Sequence, residues 1–501
     1  MNSESVVVAR GSDRSTAIRL FLTCWIIYAL HFATNIVREI YPAVTLGDGL
    51  SFDVSDYVGL HPDIFEIPGR GAFINNNPGA SMFGAVPYAL NRVWIDPVVE
   101  SVRDRRSASG NSSPPDYESP WPMAREFYAA VYVRGLDIKL GLAAGVMQAL
   151  GMAVLSALVV VVMFRVLNPL LASRRTSLWL ALLFAFATPV FFRTAQLNQN
   201  LLVAHAVFLA FVLLWRPWSA ASGPTRLGYL SAGLLSGWAV VCDYSAVVAV
   251  VALSGYAFSR WCSLPEDKRR YSDLALFALG GALGELLLAG YQWSSFGHPL
   301  YPAQHYMPAA NFTNRGYRGF DWPQPDLLLD TAFGARFGLF VSSPLLVLAL
   351  LPWAWRRPTR LLERRESWLV FFFFILFWLF CGANQYGRMQ FNSGVRYMVP
   401  VVPFLFLIVA GVLVRLPRFV ATVIGAATAY WSWCLSMYRD VEIGKWGVLN
   451  AFLTISREGV RLPWLTTLEQ MGSVPGYVSN DNLALPILLA AGLVIWMIWR
   501  H

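Results

Sequence analysis

Apolar stretches recur along the chain at lengths near the roughly 20 residues that a helix needs to cross the hydrocarbon of a bilayer. They fall at 18–37, 141–166, 177–192, 200–215, 228–242, 245–261, 273–291, 337–355, 367–383, 397–414, 418–437 and 483–499. Read as spans, they predict an all-α polytopic membrane protein of about twelve transmembrane helices, with both termini on one side. The third to sixth stretches are short, as tilted or broken spans are, which is tolerated where protein or a wet cavity covers the free backbone groups. Between the first two spans lies a long polar segment, 38–140. Within it, 81–99 is apolar but carries Pro87, Asn91, Arg92 and Asp96; it reads as a helix lying in the membrane interface, with 122–135 as a second. The segment 103–120 reads as a disordered tip.

Composition agrees with this pattern. Of the 501 residues, 56% are hydrophobic and 14% charged, against about a quarter charged in soluble domains. The net charge of +9 is nearly all arginine, with lysine only at Lys139, Lys268 and Lys445. The cations cluster between apolar runs: Arg10, Arg14 and Arg19; Arg174 and Arg175; Arg216 and Arg226; Lys268 to Arg270; Arg356 to Arg365; Arg415 and Arg418; Arg500. These all share one side, which the positive-inside rule makes cytoplasmic. The expected location is therefore an inner (plasma) membrane with both termini cytoplasmic. The outward regions are then 38–140, 292–336, 384–396 and 438–482. The chain reads as a single membrane-embedded domain. Membrane lipids are expected partners; nucleic acid is not, since no basic stripe interleaved with aromatics is present. The first apolar stretch lacks a small-residue cleavage site and reads as a retained anchor. The five cysteines form no CxxC pair, so free thiols and no structural metal are expected.

The chemistry-bearing residues gather at the outer ends of spans. Arg38-Glu39-Ile40-Tyr41 directly follows the first apolar stretch. An ionisable side chain at such a boundary is costly and tends to be functional, and a carboxylate there can act as a general base. Asp48, Asp63 and Glu66 read as solvated loop acids. The run Asn75-Asn76-Asn77-Pro78-Gly79 either caps the interfacial helix and offers N–H donors to a phosphate, or is an ordinary turn. Arg193 to Asn200, rich in amides, suggests a hairpin lining a polar cavity. Asp243 either caps the following helix, the simpler reading, or pairs with a cavity arginine. Arg388 and Arg396, on the outward side where cations are sparse, match phosphate bidentately.

Taken in order, Arg38-Glu39-Ile40-Tyr41, Asn77-Pro78-Gly79, Phe296-Gly297-His298-Pro299, Gly338 to Pro344 and Arg396 to Phe404 resemble the GT-C superfamily of polytopic glycosyltransferases. The likeness is to the group of protein O-mannosyltransferases and the lipid A aminoarabinose transferase, over about 18–415. It implies transfer of a sugar from a polyprenyl-phosphate-linked donor to a glycan, lipid or protein acceptor on the periplasmic face, with inversion. The implied base is Glu39, with Asp53 and Asp56 in reserve. Arg38, Arg193, Arg388, Arg396, Asn76 and Asn77 are the implied phosphate ligands, and Tyr41, Asn200, His298 and Tyr397 the substrate-binding set. No cofactor is expected; a divalent cation, with Asp53 and Asp56 as candidate ligands, is not required. The chain departs from the family in carrying Arg38-Glu39 where many relatives have an Asp-Glu pair. It also has Asn76-Asn77-Pro78 where several have a Lys-Pro-Pro-like turn, so an arginine must replace the phosphate-binding lysine.

Three other readings compete. A secondary transporter needs midplane polar groups in two related halves, and no repeat is visible here. A non-catalytic scaffold has no reason to hold Glu39 beside Arg38 at the boundary. A lipid-linked-glycan ligase or polymerase shares the outer-leaflet chemistry and is poorly separated by sequence.

Overall fold

The structure is a computed structural model that describes residues 3–109, 113–119, 121–219, 223–308, 314–357, 359–390, 394–438, 446–472 and 474–500. The chain is 73% helical and nearly all-α. Among the described residues the one sheet is an antiparallel hairpin, Ile64–Ile67 with Gly71–Ile74. Five helices among them are long and apolar enough to cross a membrane: Asp137–Leu170, Tyr271–Phe296, Arg364–Ala383, Arg418–Met437 and Asn480–Arg500. Shorter apolar helices are Gln199–Trp215, Ala246–Cys262 and Val399–Arg415. This architecture is compatible with a membrane protein.

Several boundaries differ from the apolar pattern. The first helix, Ser3–Leu30, ends before the apolar stretch does. The chain beyond it pairs elsewhere, Ala33 N donating to Ala195 O at 2.8 Å. Arg38 and Glu39 therefore open a second helix, Ile40–Gly49, with Glu39 at its N-cap. The stretch 337–355 is not one helix. It breaks into Leu339–Ser342 and the 3₁₀ segments Pro344–Leu350 and Pro352–Trp355, because each proline removes a backbone donor. Pro189 likewise starts a separate short helix, Pro189–Thr194, capped by Thr188.

The long polar segment is largely helical. Gly79–Ser109 runs well past the expected 81–99. It leaves Val86, Leu90, Val93 and Trp94 exposed. Pro122–Val133 follows. The segment 103–120 is not a free tip in its described part. Arg106 forks onto Asp137 at 2.9 and 2.7 Å, and Tyr117 bridges to Met471; residues 110–112 and 120 lie outside the described residues.

The tightest helix contact joins Arg226–Cys242 to Tyr271–Phe296. It is made by Gly233 and Gly237 on one and Gly280 and Gly284 on the other. A Cβ on Gly237 would stand 2.6 Å from Gly281 O, and one on Gly280 2.5 Å from Leu234 N. Glycines four apart let the two backbones touch, as in helix pairs packed within membranes.

Candidate functional site

Two local devices hold the loops that form the site. In the hairpin, Asp53 Oδ1 accepts from Ser55 N (3.0 Å), Ser55 Oγ (2.6 Å) and Ala72 N (3.0 Å), fastening the preceding loop to the second strand. These bonds outweigh partial burial and hold the Asp53 carboxyl below its ordinary value. At the start of helix Gly79–Ser109, a Cβ on Gly79 would stand 2.7 Å from Cys242 N, and Asn77 donates to Val240 O at 2.7 Å. The Asn77-Pro78-Gly79 turn is thus docked onto the end of helix Arg226–Cys242, beside Asp243.

These segments enclose a cavity of about 840 Å³. One wall carries Arg38 and Asn75, Asn76 and Asn77; another carries Gln199, Asp243, Tyr244 and Ser245. Helix Tyr271–Phe296 contributes Ala282, Glu285, Leu286, Ala289 and Gln292. That spacing is one helical stripe, about 15 Å long at 1.5 Å per residue. Tyr317, Arg318, Asn384, Tyr386 and Tyr397 complete the polar lining. A second, mostly apolar groove of about 670 Å³ shares Phe320 and Phe380 with the cavity and continues along Val247, Val251, Leu376 and Leu379.

Arg38 is the hub of the first wall. Its Nη1 donates to Asp63 Oδ2 at 2.7 Å and Asn75 Oδ1 at 3.1 Å. Its Nε reaches Glu39 Oε1 at 3.4 Å and its Nη2 reaches Asn76 Oδ1 at 3.5 Å. Asn76 donates in turn to Glu39 Oε1 at 3.0 Å. Burial alone would lower the Arg38 pKa, but Asp63 and Glu39 raise it above its ordinary value, so it is a fixed cation. Burial would raise Asp63, yet Arg38 and His61 hold its carboxyl below the ordinary value. Burial also pushes His61 below its ordinary value, against the pull of Asp63.

Of the residues nominated by sequence, Arg38, Asn76, Asn77 and Tyr397 line the cavity. Glu39 does not: its side chain is 4% exposed and sits behind Arg38 and Asn76. Tyr41 is deeper still, packed on Tyr57, with no hydrogen-bond partner for its hydroxyl among the described residues. Asp53 is engaged in its own turn, and Asp56 is exposed, so they do not converge as cation ligands. Arg193 is buried and straps the turn before Arg396, donating to Val395 O at 2.5 Å and Gly394 O at 2.7 Å. Arg388 is paired with Asp326 at 2.7 Å. Arg396 lies within the electrostatic reach of Asp63, His61 and Arg193 without joining the wall. Asn200 is fully buried and outside the cavity lining, its amide without a partner among the described residues. His298 stacks on Tyr301 at 3.9 Å, next to the wall residues Pro299 and Leu300. Among the described residues, no group of three or more His, Cys, Asp or Glu converges as a metal site.

No family model, curated protein or solved structure matches the chain. The site is therefore read from its own residues. Asp63 and Glu285 are the acids that sequence reasoning missed. Asp63 offered no signal beyond its place in an acidic loop. Glu285 did: it is a carboxylate within an otherwise apolar run, where an unpaired charge is costly.

Proposed function

We propose that the chain is a glycosyltransferase that moves a sugar from a polyprenyl-phosphate-linked donor to an acceptor hydroxyl at the outer face of a bacterial inner membrane. The reading includes about twelve spans, cytoplasmic termini and an interfacial helix Gly79–Ser109. One observation carries it. The cavity is lined from 38, 75–77, 199, 243–245, 282–292, 299–320, 380–386 and 397. Each of these is an outward segment, or the outer part of a span, in the topology that arginine placement implies. A cation and three amides, the further polar groups Gln199 and Asp243 to Ser245, and an adjoining apolar groove suit a phosphate, a sugar and a hydrocarbon chain together.

In this reading Arg38 holds the donor phosphate. A guanidinium has five N–H donors, and four contacts engage Arg38, which leaves one on Nη2 for a phosphate oxygen. Glu39, Asp63, Asn75 and Asn76 fix the fork, so its charge is pre-set for the leaving group. The acceptor is a glycan, lipid or protein. The test is incubation of the purified protein in nanodiscs with radiolabelled polyprenyl-phosphate sugars and membrane extract. Label moving to a non-prenyl product, with polyprenyl phosphate released, supports the reading. No transfer from any such donor, together with no binding of polyprenyl phosphate, overturns it.

A further inference from the structure

An inverting displacement needs a base on the side of the sugar away from the leaving phosphate. Glu39, the acid that the sequence nominates, sits behind the Arg38 wall with its Oε1 held by Asn76 and Arg38. Two carboxylates do line the cavity, Asp243 and Glu285. Glu285 stands on the stripe with Ala282, Leu286 and Ala289, and no hydrogen bond orients it among the described residues. Asp243 is oriented twice: Oδ1 accepts from Ser245 N at 2.8 Å and Oδ2 from Gln199 Nε2 at 2.6 Å. Each oxygen keeps a second lone pair. No cation pairs with Asp243 among the described residues. Its separation from the Arg38 wall is fixed by the Asn77–Val240 bond and the Gly79–Cys242 contact. Tyr397 lies within the electrostatic reach of both Arg38 and Asp243.

We infer that Asp243 is the catalytic base of this site and that Glu39 is a positioning residue for Arg38; the inference rests on the glycosyltransferase reading. The acceptor O–H gives its proton to an Asp243 oxygen. The acceptor oxygen forms a bond to the anomeric carbon as the bond from that carbon to the phosphate oxygen breaks. The electron pair leaves with the polyprenyl phosphate, whose charge Arg38 meets. Asp243 does not cap the following helix as expected from sequence: the N-cap is Ser245, without a side-chain cap bond, and the Oδ1–Ser245 N bond is an Asx turn that holds the carboxylate in place.

Asp243→Asn tests this with little strain. The Oε1 of Gln199 has no partner among the described residues, so a flip of that amide lets it accept from the new side-chain nitrogen. At saturating donor and acceptor, kcat is expected to fall about a hundredfold or more, the usual worth of a general base. Donor affinity stays close to wild type. Asp243→Glu restores part of the rate. Glu39→Gln raises the donor KM and retains most of kcat. The inference is overturned if Asp243→Asn keeps more than a tenth of the wild-type kcat, or if Glu39→Gln removes kcat without changing the donor KM. Loss of donor binding as well in Asp243→Asn, unrelieved in Asp243→Glu, overturns it too, as a structural role. A wild-type protein that transfers no sugar would fail at the earlier step and take both readings with it.

Discussion

The hub role of Arg38 sets a testable contrast between two substitutions. Arg38→Lys keeps the charge and a contact to Asp63, but one nitrogen cannot also reach Glu39 and Asn76. The substitution also removes the Nη2 donor proposed to meet the donor phosphate, one charge-assisted hydrogen bond worth about 1.5–3 kcal/mol. At about 1.4 kcal/mol per decade, polyprenyl-phosphate binding weakens roughly tenfold to a hundredfold. Arg38→Met removes the cation altogether. It leaves the Glu39 side chain, 4% exposed, and that of Asp63, 29% exposed, without their partner. Stripping one member from a buried pair costs about 3–5 kcal/mol, so this variant should unfold well below the wild-type temperature. Thermal unfolding in detergent and titration with polyprenyl phosphate read the two effects separately. If Arg38→Lys binds like wild type and Arg38→Met unfolds at the wild-type temperature, the guanidinium is not what organises this wall.

Three further outcomes follow from the packing and the charges. Gly79→Val sets a side chain against the backbone at Val241 and Cys242; it should cost about 1–3 kcal/mol and weaken ligand binding in the cavity, and wild-type values for both would contradict the docking described. Gly237→Leu drives apart the glycine-faced helix pair, and a lower yield of folded protein with a lower unfolding temperature is the expected readout. His61, whose pKa burial lowers against the pull of Asp63, takes up its proton more readily in the unfolded chain. Stability is therefore lost as pH falls through the ordinary value of 6.5 toward the lower folded one. His61→Phe should flatten unfolding curves compared between about pH 7 and about pH 5; an unchanged slope would count against this.

Most helices were legible because each needs an uninterrupted apolar run, and Tyr271–Phe296 and Asn480–Arg500 extend the runs at 273–291 and 483–499 by only a few residues. What failed was the assumption that an apolar run is one helix. Pro344 and Pro352 break 337–355, and pairing of Ala33 with Ala195 ends the first helix early. At the site, the boundary position of Arg38 and the amide run at 75–77 were visible as unusual residues. Their partners were not. Asp63 meets Arg38 only because the hairpin returns the chain to that point. Whether Glu39 faces the cavity or stands behind it depends on the turn into helix Ile40–Gly49, which apolar spacing does not encode.

The glycine-faced crossing of Arg226–Cys242 and Tyr271–Phe296 carries a mechanical consequence. Backbones in direct contact cannot roll or slide past one another without losing their fit. The stripe from Ala282 to Gln292 and the hairpin bearing Asp243 therefore move as one slab. Any widening that admits a bulky guest has to come from the other lining segments, among them Leu300, Pro302 and Tyr317 to Phe320.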